Sequence, residues 1–114
     1  RWNVVKQKVV YVASRVRGKL QQNINDVKSY CRYCVLQGVV PIVPHLMYVG
    51  ALNDADPTER KLGMDLGITI LQAGFIDELW VFTDSEGPSE GMKKEIEIAE
   101  EMNIPVHYFR KDSI

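Results

Sequence analysis

The chain has 114 residues, 46% of them hydrophobic and 25% charged, which is the size and composition of one globular domain spanning residues 1–114 with a single core. A formal charge of −1 with pI near 6.1 argues against binding a nucleic acid polymer or an anionic membrane, both of which call for a basic surface. No apolar run has transmembrane length, and the first residues lack a signal-peptide core, so a cytoplasmic protein is expected, with further residues upstream of Arg1.

Lys8 to Ala13 is a short continuous apolar run, the form of a strand buried on both faces of a parallel sheet. A basic loop, Ser14-Arg15-Val16-Arg17-Gly18-Lys19, leads to a helix expected to begin near Asn23 to Asp26 and to stop at Gly38. Ile24, Val27, Tyr30, Cys31, Cys34 and Val35 make one apolar stripe on it. Cys31 and Cys34 form a C-x-x-C, but they lie well inside the helix, away from the N-terminal dipole that would lower a thiol pKa. No second Cys/His pair has zinc spacing, so the thiols are expected to pack in the core and no metal is implied.

Val39 to Pro44 is a second strand whose prolines suit a sheet edge. The connection from His45 to Ala55 is unusually apolar, carrying Leu46, Met47, Tyr48, Val49 and Leu52, and is expected to be covered by a partner subunit or folded as a lid. Asp56-Pro57-Thr58-Glu59 is a strong helix start: Asp caps, Pro tolerates the first turn, and Glu59 can reach back as the capping-box acid. That helix runs to about Ala73. Asp77 to Phe82 is a third strand, a helix capped by Ser89 runs to about Asn103, and Ile104 to Phe109 is a fourth strand followed by a polar tail, with His107 structural.

Strands alternating with helices imply an α/β fold, a small doubly wound, flavodoxin-like parallel sheet of about four strands in the order 2-1-3-4. Its switch point falls between strands one and three, whose carboxyl ends lead into Ser14 to Gly18 and Asp84 to Glu95, and ligands of such sheets bind there. Around Ser89 the amides of Glu90, Gly91 and Met92 suit an anion such as phosphate, and Gly91 permits close approach. Glu95 shares the apolar stripe of Met92, Ile96, Ala99 and Met102, whereas Lys93, Lys94, Glu97, Glu100 and Glu101 lie off it. An inward carboxylate of this kind is desolvated, and Tyr11 on the central strand is its expected neighbour. A carboxylate near a sugar can attack the anomeric carbon while a second acid protonates the leaving group; Asp84 and Asp65 are the candidates for that acid. Each also has an ordinary reading, Asp84 as a turn residue and Asp65 as surface. His45 lies close enough to the strand ends to touch a base or phosphate.

The strand with Tyr11, the Ser-x-x-Arg-Gly loop from Ser14, Pro-Ile-x-Pro-His at 41 to 45, Asp-Glu-Leu-Trp-Val-Phe at 77 to 82, and Ser89-Glu90-Gly91-Met92 leading to Glu95 together resemble the nucleoside 2-deoxyribosyltransferase-like superfamily, over Lys8 to Phe109. The resemblance implies Glu95 as the nucleophile that takes a deoxyribosyl group, Tyr11 as the residue orienting it, no cofactor, and a site at the interface of a homodimer or higher homo-oligomer. Ser89, two residues before Gly91, resembles the N-glycosidases of deoxynucleoside 5′-monophosphates, and Ser14, Arg15, Arg17 and Gly18 resemble their phosphate-binding loop; Arg forks suit phosphate. The chain departs from its short relatives in having Arg15-Val16 after the loop serine and a longer link into the third strand. The superfamily's second carboxylate is thereby left to Asp65, with Gly67 and Thr69 in nearby registers. The expected activity is cleavage or transfer at the N-glycosidic bond of a 2′-deoxynucleoside or its 5′-monophosphate. The alternatives are a non-catalytic nucleotide-binding module with the same pocket, and a flavodoxin-like scaffold.

Overall fold

The computed structural model describes residues 6–15, 20–48, 50–53 and 55–114. Four parallel strands, β1 (Val9–Ala13), β2 (Val40–Ile42), β3 (Glu78–Thr83) and β4 (Val106–Arg110), form one sheet in the order β2-β1-β3-β4. The expected topology is the one found, and the proline-bearing β2 is an edge strand, where Pro41 removes no ladder bond from a central position. Tyr11 pairs with Ile42 on one side and Leu79 on the other.

Side chains alternate across the sheet, so each strand feeds two cores. On one face Val10, Val12, Trp80 and Phe82 meet Val27, Tyr30 and Cys34 of α1 (Leu20–Leu36). The Tyr30 and Phe82 rings stack at 4.5 Å between centroids. On the other face Tyr11, Ala13, Leu79 and Val81 meet Leu71 of α3 (Pro57–Gln72) and Met92, Ile98 and Ala99 of α4 (Glu90–Glu101). Leu71 and Leu79 are fully buried, and truncating either to Ala costs about 2–5 kcal/mol. α1 lies on one face and α3 and α4 lie on the other, as right-handed crossovers in this strand order require.

Several local expectations change. The first helix starts at Leu20, ahead of Asn23 to Asp26, because the polar side chains there serve along the helix: Gln21 donates to Asn25 and Gln22 to Asp26, each one turn apart. Val35 leaves its predicted stripe and is exposed, while Cys34 is buried and its thiol is pushed up to about 12 by desolvation. The connection after β2 opens as a short helix, α2 (Pro44–Tyr48), with Pro44 in its first turn. Asp56 caps α3 by accepting from the Thr58 amide, but Glu59 reaches the amide of Asn53, outside the capping-box geometry. In α4 the buried residues are Met92, Ile98 and Ala99, and Met102 is exposed. The polar tail is exposed, and Lys111–Ser113 within it form a 3-10 turn. No helix among the described residues is long and apolar enough to cross a membrane.

Candidate active site

Ser89 starts α4 in extended conformation and accepts from the Met92 amide at 3.3 Å, while its own amide points to the Met92 sulfur. This start fixes the helix rotation that turns Met92 and Glu95 toward the sheet. Glu95 then meets Tyr11 of β1, whose hydroxyl donates to Glu95 Oε2. Tyr11 is 1% exposed and Glu95 partly buried. Desolvation lifts the Glu95 carboxyl to about 7, against the opposing pull of the phenol's hydrogen bond. Burial first, then the adjacent carboxylate, holds the Tyr11 phenol far above its ordinary range, so it stays a donor at any physiological pH.

Two glycines of α3 shape this corner: Gly67, placed by the sequence only in a register near Asp65, and Gly63, which the sequence reading did not single out. Gly67 lies against the Tyr11 hydroxyl and Glu95, and Gly63 lies against the ring of Tyr48 from α2. Tyr48 also contributes to the field at Tyr11. The signal for both was in the sequence: a glycine inside a strongly capped helix needs a packing reason. Gly91, expected to admit a ligand, has the methyl of Met64 as its close neighbour; a Cβ there would be 2.7 Å from it.

The carboxyl ends of β1 and β3 frame a shallow cleft at the switch point, lined by Arg15, Asp26, Tyr30, Asp84, Gly87 and Met92 among others. Both expected loops therefore contribute to one crevice. Arg15 donates from Nη2 to the Gly87 carbonyl at 2.8 Å and has Nε 3.9 Å from Asp84 Oδ2, tying the loop after β1 to the turn before α4. Gly87 has φ +78°, a conformation glycine adopts freely. Asp84 accepts from the Glu86 amide, forming the Asx turn that was its ordinary reading. Met92 belongs both to this cleft and to the cluster that encloses Tyr11.

Ser14 and His45 come together at the ends of β1 and β2: Oγ and Nε2 are 3.3 Å apart, and the residues are 5% and 7% exposed. His45 is thus a buried helix residue rather than a loop histidine, and burial lowers it to about 4, so its ring is neutral near pH 7. Asp65 is not brought to Glu95. It is half exposed, 2.7 Å from Lys61, and sits two positions from Gly67, on a different side of α3. Thr69, also exposed, turns its hydroxyl to the Asp65 carbonyl. His107 is half exposed with Nε2 3.5 Å from Glu78. Arg17 and Gly18 lie outside the described residues. Among the described residues no group of three or more His, Cys, Asp or Glu is placed to hold a metal.

A comparison with curated proteins finds no match. A model of the family described as Domain of unknown function (DUF7768) matches residues 8–109, and the chain belongs to that family.

Proposed function

We propose that this chain cleaves or transfers the N-glycosidic bond of a 2′-deoxynucleoside or its 5′-monophosphate, with Glu95 as nucleophile and Tyr11 orienting it. The observation that carries the reading is the buried phenol donating to one oxygen of a desolvated carboxylate. Tyr11 occupies Oε2, so Oε1 is the oxygen that attacks C1′. The C1′–N bond breaks, its electron pair leaves with the base, and the base takes a proton from solvent or from an acid such as Asp84. A glycosyl ester on Glu95 remains. Attack by water returns the carboxylate and yields the free sugar or its 5-phosphate; attack by a second base yields transfer. The α4 N-terminus, Ser14 and Arg15 are the groups suited to a 5′-phosphate. The resemblance to the nucleoside 2-deoxyribosyltransferase-like superfamily supports the same roles. We place the protein in the cytoplasm as a homo-oligomer: Leu46, Met47 and Leu62, exposed on α2 and α3, are the apolar surface that a second copy would cover.

A second reading, a nucleotide-binding module without turnover, is favoured by one observation. The α3 residue against Tyr11 and Glu95 is Gly67, with no carboxylate of its own. Incubation with a panel of deoxynucleosides and deoxynucleoside 5′-monophosphates, followed by chromatography of free base, decides between them. The enzyme reading expects base release by the wild type and none by Glu95→Gln. Binding of a monophosphate without release by either protein favours the module.

A further inference from the structure

Glycine is the weakest helix former after proline, yet α3 carries Gly63 and Gly67 one turn apart, both buried. A methyl on either would meet a tyrosine. At Gly63 it would lie 2.9 Å from Cζ of Tyr48, a partly buried side chain at the end of α2. At Gly67 it would strike the Tyr11 hydroxyl itself, with Tyr11 Cζ 3.7 Å and Glu95 Oε2 3.6 Å away. These collisions differ in their outcome. Tyr11 is fixed in the central strand between Ile42 and Leu79 and is enclosed by the core, so its ring has little room to swing aside. Relief at Gly67 means moving the hydroxyl off Glu95.

We propose that Gly67 is a positioning residue for Glu95: the side chain missing from α3 is the seat of the Tyr11 phenol, and any substituent there separates the phenol from Oε2. In giving the pair a catalytic role this rests on the glycosidic reading above; as a statement about how the pair is held it stands on the α3 geometry alone. A Gly67 that held no side chain in place would make the opposite forecast, because alanine is the better helix former and would stabilise α3.

The groups facing Glu95 set what to measure. Tyr11 from β1 is its hydrogen-bond donor, and Tyr48 from α2 adds to the field at Tyr11. The phenol favours the ionised carboxylate, so its removal raises the Glu95 titration midpoint. The experiment is a double-mutant cycle read by carbon-13 NMR of the Glu95 carboxyl, assigned by its loss in Glu95→Gln. Gly67→Ala and Tyr11→Phe should each raise the midpoint by a similar amount, and the double variant should go no further, because both act through one hydroxyl. Gly63→Ala, the same change one turn away, should leave the midpoint in place. Base release at pH 7 should fall by at least about tenfold in both single variants, the lower plateau and the raised midpoint acting in the same direction.

Thermal stability gives an independent readout. Phenylalanine lacks the atom that the methyl strikes, so Tyr11→Phe should rescue Gly67→Ala, giving a higher Tm in the double variant even where the single one does not fold. An unchanged midpoint in Gly67→Ala, additive shifts in the double variant, an equal shift in Gly63→Ala, or failure of Tyr11→Phe to rescue folding would each overturn the proposal. Absence of base release by the wild type would remove the glycosidic reading and leave the titration cycle and the rescue to be judged on their own.

Discussion

The Tyr11 hydroxyl and the Glu95 carboxylate meet across 84 residues of chain, one from the central strand and one from a helix that crosses back over the sheet. The contact keeps a desolvated acid oriented but only partly ionised near neutral pH, since burial outweighs the phenol's stabilisation of the anion. Rate should therefore follow ionisation of Glu95. We predict that kcat/KM for base release rises with pH through about 7 and then levels. In Tyr11→Phe the midpoint moves upward and the plateau drops about 10–100-fold, because the phenol both favours the carboxylate and orients it. A pH–rate profile of the two proteins checks both statements.

The same acid should lower stability above its ordinary pKa. Below 4.5 Glu95 is protonated in both folded and unfolded chains; between 4.5 and about 7 the unfolded chain loses its proton first, so stability falls as pH rises, by up to about 3 kcal/mol in total. Glu95→Gln removes that loss while keeping an oxygen for the Tyr11 donor. Denaturant melts should show the variant more stable than wild type at pH 8 and close to it at pH 4.

His45 acts with the opposite sign. Its folded value lies below 6.5, at about 4, so acidification protonates the unfolded chain first and stability is lost as pH falls through that window, again by about 3 kcal/mol at most. Wild-type stability should accordingly vary little between pH 4.5 and 6.5, where the two effects oppose. His45→Gln should expose a decline with rising pH there, and Glu95→Gln an increase. Urea midpoints at four pH values across the window test this.

Arg15 joins the two loops of the switch point through the Gly87 carbonyl. Arg15→Ala should cost about 1 kcal/mol and speed amide exchange at residues 85–92. Gly87→Ala should cost about 1–2 kcal/mol by strain at φ +78° and disturb the same amides. Hydrogen exchange followed by mass spectrometry reads both.

Topology was legible because the apolar runs at Val9–Ala13 and Glu78–Thr83 and the caps at Asp56 and Ser89 are local signals that agree with one another. The inward side of α4 was legible from periodicity at Met92, Glu95 and Ala99, whereas Met102 is exposed and Ile98, outside the predicted stripe, is buried. The burial of His45 was not, because it depends on Pro44 starting a short helix that turns the ring toward Ser14. Nor was the loss of Asp65 from the site: only the rotation of α3, set by how Gly63 and Gly67 pack on two tyrosines, decides which residue faces Glu95. Periodicity finds apolar stripes, and a glycine seat is a stripe without side chains.

Covalent chemistry at Glu95 leaves a sugar on the protein, which intact-protein mass spectrometry detects after mixing with a deoxynucleoside 5′-monophosphate. Rapid quenching should show a fraction of the chain heavier by one deoxyribosyl phosphate, with peptide mapping placing the added mass on Glu95 and Glu95→Gln acquiring none. Base release with no mass gain at any quench time, or a mass gain that persists in Glu95→Gln, would contradict it.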